Sequence, residues 1–129
     1  MLSKLIERYR RRPSHRAADL TVRASLMCHD GRLTVQIHSG RRVLLDADGR
    51  AVATEQIGRS AVEVPLSDTQ RSELGNPLLS AAIGSLHGKT VTGRLYLLDD
   101  CVEYLELESR DGTSLTWSSR PGWCELNGR

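Results

Sequence analysis

The sequence predicts a single α+β domain over residues 1–129, with an antiparallel β-sheet of about six to eight strands, an N-terminal helix and a helical insert near residues 68–87. A length of 129 residues suits one domain with its own core. Apolar and polar residues alternate with a period of two through most of the chain, which is typical of strands with one buried face. Helical spacing of apolar residues is seen at the N-terminus and in the insert.

The first predicted element is an amphipathic helix at residues 1–12. Its apolar positions are Leu2, Leu5, Ile6 and Tyr9. Pro13 ends the helix, because the residue before a proline is biased away from helical geometry. Residues 13–19 are expected to form a connector to the sheet.

Residues 20–38 predict a β-hairpin around Asp30-Gly31, since a two-residue type I′ turn needs positive φ at both positions. This turn would place three apolar pairs on one face, Ala24 with Ile37, Leu26 with Val35 and Cys28 with Leu33. It would also pair Arg23 with His38 on the opposite face. Two strands that agree on a buried face have a specified register.

The middle of the chain predicts shorter strands separated by turns. Ser39-Gly40 is expected to end the hairpin, and Asp48-Gly49 to form the next turn. The predicted strands lie at 43–45, 51–57 and 61–66. Pro65 cannot donate a ladder hydrogen bond, so the last of them lies at an edge or ends there.

Two short helices are predicted in the insert. Ser67 and Gln70 have the spacing of a capping box, which favours a helix at 68–74. Asn76 as N-cap and Pro77 at the first helical position begin a second helix, whose apolar stripe would lie against the sheet. Gly88 is a typical residue at which such a helix ends.

The last third predicts a meander. Strands at 90–98 and 101–109 are joined by a turn at Asp99-Asp100. A three-residue loop at 110–112, with Gly112 left-handed, would pair Leu107 with Leu115. The face opposite this pairing would carry Tyr104, Glu106 and Glu108.

Charge is unevenly distributed along the chain. Residues 1–16 contain six basic and one acidic residue, whereas residues 95–129 contain three basic and seven acidic residues. The acidic third, whose densest cluster is Glu103, Glu106 and Glu108 with Asp99 and Asp100, favours a protein-binding surface for a basic partner. The alternative is a nucleic-acid-associated protein whose basic helix neutralises phosphates through Lys4, Arg8, Arg11 and Arg12. Nucleic acid is the less favoured partner because no stacking aromatic platform accompanies this charge. A third alternative is a ligand pocket between the sheet and the helices.

The sequence offers little support for an enzyme or a cofactor. No C-x-x-C or H-x-x-x-H spacing predicts a metal site, and Cys28 and His29 would point to opposite faces of a strand. Cys28 is expected to face the core rather than a catalytic base, so no catalytic residue is predicted. Three cysteines without a disulfide pattern, the lack of a secretory signal and the lack of an apolar run long enough to span a membrane indicate a cytoplasmic protein.

Residues 86–117, which read LHGKTVTGRLYLLDDCVEYLELESRDGTSLTW, resemble small β-rich immunity proteins of bacterial contact-dependent and polymorphic toxin systems. The resemblance rests on a Gly-Lys start, a strand, an acidic turn, the strand segment YLEL and a final Asp-Gly turn. It implies a bacterial, cytoplasmic, non-enzymatic protein that occludes a toxin domain with an acidic sheet face. The partner implied by the resemblance is a basic toxin or enzyme domain, and the implied contact positions are Asp99, Asp100, Tyr104, Glu106 and Glu108.

Overall fold

A computed structural model describes residues 17–119 and 124–127 as one antiparallel sheet with two short helices. The strands are β1 (Ala17–His29), β2 (Arg32–Leu45), β3 (Ala51–Ile57), β4 (Ser60–Val64), β5 (Thr90–Leu98), β6 (Cys101–Ser109), β7 (Ser114–Ser118) and β8 (Cys124–Asn127). The helices, α1 (Asp68–Glu73) and α2 (Pro77–Leu86), lie between β4 and β5.

The α+β class predicted from the sequence is wrong. About 61% of the described residues are in strands and 16% are helical, so the fold is mostly β. The helical insert forms as two helices of six and ten residues, whereas β1 and β2 reach 13 and 14 residues. The predicted N-terminal helix at 1–12 lies outside the described residues, and the last three residues of the predicted connector belong to β1.

The strand order is β3-β2-β1-β5-β6-β7-β8, and β4 also pairs with β2. The long strand β2 therefore has two partners along the same edge. Its first half, Leu33–Ile37, pairs with β4, and its second half, Gly40–Leu45, pairs with β3. The predicted antiparallel sheet is confirmed.

The β1–β2 hairpin has the register predicted from its turn. Asp30 and Gly31 both have positive φ, 52° and 74°, as a type I′ turn requires. The three predicted apolar pairs form as expected. The pairing then shifts at a β-bulge, so that Arg23 lies opposite Ser39 and not opposite His38.

Gly40 does not end the hairpin, contrary to the sequence prediction, because β2 continues through it to Leu45. A Cβ atom at Gly40 would lie 2.4 Å from the carbonyl oxygen of Thr21. At Gly93 it would lie 1.8 Å from the carbonyl oxygen of Glu106. Both glycines are directly opposite Val22, one on each side. They serve a close backbone approach across a sharply bent part of the sheet.

The bend brings β4 into contact with β6, four strands away in the strand order, and the enclosed face forms the core. Leu26, Leu33, Val35, Leu95, Leu105 and Trp117 are each fully buried there. The helices close this part of the molecule. Ile83 and Leu86 of α2 are buried in the core, and Gln70 of α1 donates to the carbonyl oxygen of Ser118 at 2.9 Å.

Candidate functional site on the outer face of the sheet

The outer face of the sheet, defined here as the face of β1, β5 and β6 opposite the core, carries the predicted acidic row. Leu105 and Leu107 of β6 are buried, while Glu106 and Glu108 between and after them are exposed. Tyr104 lies on the same outer face and is half-buried. The core residues therefore fix the direction in which the acidic side chains project.

Asp99 and Asp100 lie at one end of this row rather than within it. They form the β5–β6 turn, with φ of 55° and 64°. Aspartate tolerates this left-handed conformation better than most residues. Because a strand rises about 3.3 Å per residue, Asp100 lies roughly 26 Å from Glu108. The five predicted contact residues thus follow the length of β6 and do not form one compact cluster.

Tyr104 is hydrogen-bonded to its neighbour in the row, Glu106. Its hydroxyl donates to a carboxylate oxygen of Glu106 at 2.5 Å, and this hydrogen bond is the main reason that the pKa of Tyr104 is raised. Tyr104 also lies directly opposite Tyr96 on β5. Cross-strand aromatic pairs of this kind contribute to sheet stability and hold the rings in place. The outer face therefore combines two tyrosines with a carboxylate.

Asp19 and Arg94 join this surface, although the sequence analysis did not identify them. The guanidinium of Arg94 donates to Asp19 at 2.7 Å, and this bond is the main reason that the pKa of Arg94 is raised. Arg94 lies opposite Glu106 in the β5–β6 ladder. The row is therefore an acidic strand bordered by a cation, not a uniformly acidic face. The sequence analysis assigned Asp19 to the connector; the alternation of apolar and polar residues, extended back into β1, is the signal that could have placed it on this face.

The far end of β6 carries a hydrogen-bonded turn. The carboxylate of Asp111 accepts hydrogen bonds from the Ser109 hydroxyl, from the Thr113 backbone amide at 3.0 Å and from Lys89 at 3.0 Å. These bonds, with the Ser109 hydroxyl first, hold the pKa of Asp111 well below its usual range. Asp111 therefore acts as a structural acceptor and is not a candidate general acid.

The surface between α2 and β1 matches the predicted location of a ligand pocket. It forms an open depression of about 440 Å³, lined by Cys28, Leu74, Ser80, Ile83, Gly84 and His87. The ring Nδ1 of His87 accepts the backbone amide of Cys28 at 3.0 Å, which continues the hydrogen bonding of β1 past the start of β5. Burial raises the pKa of the Cys28 thiol, which disfavours the thiolate that a nucleophile needs. No sequence pattern predicts this pairing of Cys28 with His87.

Other predicted features can be placed as follows. Across residues 17–119 and 124–127, no group of three or more His, Cys, Asp or Glu side chains is positioned to hold a metal ion. No helix in the described part of the chain is long and apolar enough to cross a membrane. The alternative nucleic-acid contacts, Lys4, Arg8, Arg11 and Arg12, lie outside the described residues.

Comparisons with protein-family models, with curated proteins and with solved structures found no match to the chain.

Proposed function

We propose that this protein is a non-enzymatic protein-binding module that uses the outer face of β6 to cover a basic site on its partner. The observation that carries the proposal is the alternation of buried and exposed side chains in the second half of β6, from Leu105 to Ser109. Glu106 and Glu108 project outwards from a strand whose other side chains, Leu105 and Leu107, are locked in the core. Binding surfaces held in place before contact lose little conformational freedom on association.

The neighbours of these carboxylates support recognition of a protein. Tyr96 and Tyr104 form a half-buried pair beside Arg94, and tyrosine and arginine are enriched at the centres of protein interfaces. The carboxylates favour a partner with a basic surface, because charge complementarity sets partner choice and association rate. The finer form of the proposal is an immunity or inhibitor-like protein in a bacterial cytoplasm, with a toxin or enzyme domain as its partner.

The experiment is a pull-down with the full-length chain from a lysate of the source organism, with and without nuclease, followed by association kinetics with the protein recovered. The test variant is the double substitution Glu106→Lys with Glu108→Lys. We expect it to slow association with the partner by about tenfold or more at low salt, and to flatten the dependence of the rate on salt.

The matched control is Asp48→Lys with Glu63→Lys, which makes the same change in net charge at two exposed positions outside the acidic row of β6. This control should alter the association rate far less. Recovery that depends on nucleic acid, or an equal effect of the two double variants, would contradict the proposal. Thermal unfolding of each variant shows whether the charge reversals leave the fold intact.

A further inference from the structure

A second site lies on the outer face next to β6, where β1 runs between β2 and β5. An open groove of about 580 Å³ crosses these three strands. The charged residues that line it are Arg23, Arg41 and Arg94. Carboxylates are missing from this lining, in contrast to the neighbouring grooves that contain Glu106 or Glu108. The cations of this groove therefore lie on β1, β2 and β5, beside the carboxylates of β6.

The strand register explains why the three arginines converge. Arg41 and Arg94 lie directly opposite Thr21, one on each side. Arg23 is two residues beyond Thr21 on the same strand, so it is the diagonal neighbour of both. Diagonal neighbours in a sheet lie about 7–8 Å apart, within reach of long side chains. The three guanidiniums can therefore contact one ligand.

Two of these cations are not paired with a carboxylate of the residues that the structure describes. Within the described part of the chain, neither Arg23 nor Arg41 forms an ion pair, whereas Arg94 is held by Asp19. Positive charges at this spacing repel one another. A bound anion would remove this cost, and no carboxylate among the described residues lines the groove.

The rest of the lining is suited to an oxyanion. Ser39 and Thr92 lie opposite Arg23 on either side, and Thr21 lies between the other two arginines. Their hydroxyls can donate hydrogen bonds, and Gln56, opposite Arg41, adds an amide. Gly40 and Gly93 add no side chain to the groove.

We propose that this groove binds a ligand that carries phosphate groups, with Arg23 and Arg41 as its main contacts. A planar guanidinium matches two phosphate oxygens at once, which a point charge does not. This inference differs from the protein-binding proposal in its main contacts, because Arg23 and Arg41 are not part of the acidic row; Arg94 borders both surfaces, and Arg23 also lines the groove that contains Glu108.

The test uses the full-length chain and inorganic pyrophosphate in titration calorimetry at fixed, low ionic strength. We expect saturable binding with one site per chain and a rise in the unfolding temperature with added pyrophosphate. The double variant Arg23→Gln with Arg41→Gln should weaken binding by at least about tenfold, because it removes two charge-assisted contacts.

The matched control is Arg32→Gln with Arg59→Gln, which removes two exposed arginines that do not line the groove. It should change the affinity for pyrophosphate less than about threefold. A lack of saturable binding, or equal weakening by the two double variants, would overturn the proposal.

Two further titrations identify the source of the phosphate group. A nucleoside diphosphate that binds as well as pyrophosphate, and loses affinity in the Arg23→Gln with Arg41→Gln variant, supports a small phosphate ester. A short single-stranded oligonucleotide that binds better, with the same sensitivity to that variant, supports a nucleic-acid backbone in the same groove. Oligonucleotide binding that is unaffected by the variant, with no binding of pyrophosphate, would place the anion site elsewhere and overturn the proposal.

Discussion

The two halves of β2 are one continuous strand with opposite surroundings. In the half paired with β4, which we call the covered half, Leu33, Val35 and Ile37 are almost completely buried. In the half paired with β3, which we call the free half, the same face carries Gly40, Arg42 and Leu44; Leu44 is only half-buried, and nearly all of β3 is exposed. Both halves have full backbone pairing on both edges. The difference therefore comes from the bend and the helices, which cover one half and not the other.

This comparison predicts that equal substitutions in the two halves have unequal effects on stability. Leu33→Ala should lower the free energy of unfolding by about 2–5 kcal/mol, because it leaves a cavity in a packed core. Leu44→Ala, on the same face in the free half, should cost less than about 1.5 kcal/mol, since its side chain is only half-buried. Urea denaturation of both variants measures the difference. A similar loss in the two would mean that the free half is covered in solution.

The same contrast explains which strands the sequence could predict. Alternation and the Asp30-Gly31 turn were sufficient to predict the register of the covered half. The sequence predicts that the hairpin ends at Gly40, because a glycine in a turn and a glycine at a close backbone approach look the same in a sequence. Only the position of the neighbouring strand, with the Thr21 carbonyl at the place of a Cβ, separates the two.

The candidate site was predictable to the extent that it is local. Tyr104, Glu106 and Glu108 lie on one strand, so the period of two was enough to place them on one face. Asp19 and Arg94 are 75 positions apart and come together only because β1 and β5 are neighbours in the sheet. The α+β prediction was wrong for a related reason. The prediction gave weight to two short helices and to an N-terminal segment outside the described residues, while β1 and β2 extend beyond their predicted limits.

The second prediction compares a glycine in the bend with one at the free edge. Gly93→Ala should lower the free energy of unfolding by about 1–3 kcal/mol, because the new methyl group would overlap the backbone of Glu106 and force the strands apart. Gly58→Ala is the control, since no atom lies within 4 Å of its Cβ position. It should be neutral or slightly stabilising. Thermal unfolding of the two variants tests whether the bend depends on the bare backbone at Gly93; equal melting temperatures would show that it does not.

The smallest effect is expected in the turns at the two ends of the sheet. In the β6–β7 turn, Asp111 accepts bonds from a hydroxyl, a backbone amide and the Lys89 ammonium. In the β2–β3 turn, Asp46 accepts only the backbone amides of Asp48 and Arg50, as far as the described residues show. The carboxylate of Asp111 therefore contacts a charged residue outside its own turn, Lys89. The carboxylate of Asp46 stabilises its own turn through backbone amides.

Asp111 should accordingly make stability depend on acid. Its folded-state pKa is depressed from an ordinary value of 3.8. A carboxyl group of this kind adds stability above its unfolded pKa and loses it as the pH falls through the folded pKa. The wild-type chain should lose more stability than Asp111→Asn as the pH is lowered below about 4. Urea midpoints measured from pH 7 to pH 2 provide the test. Parallel curves for the wild type and Asp111→Asn would mean that solvent screens the Lys89 contact, and that the two turns do not differ in how they use charge.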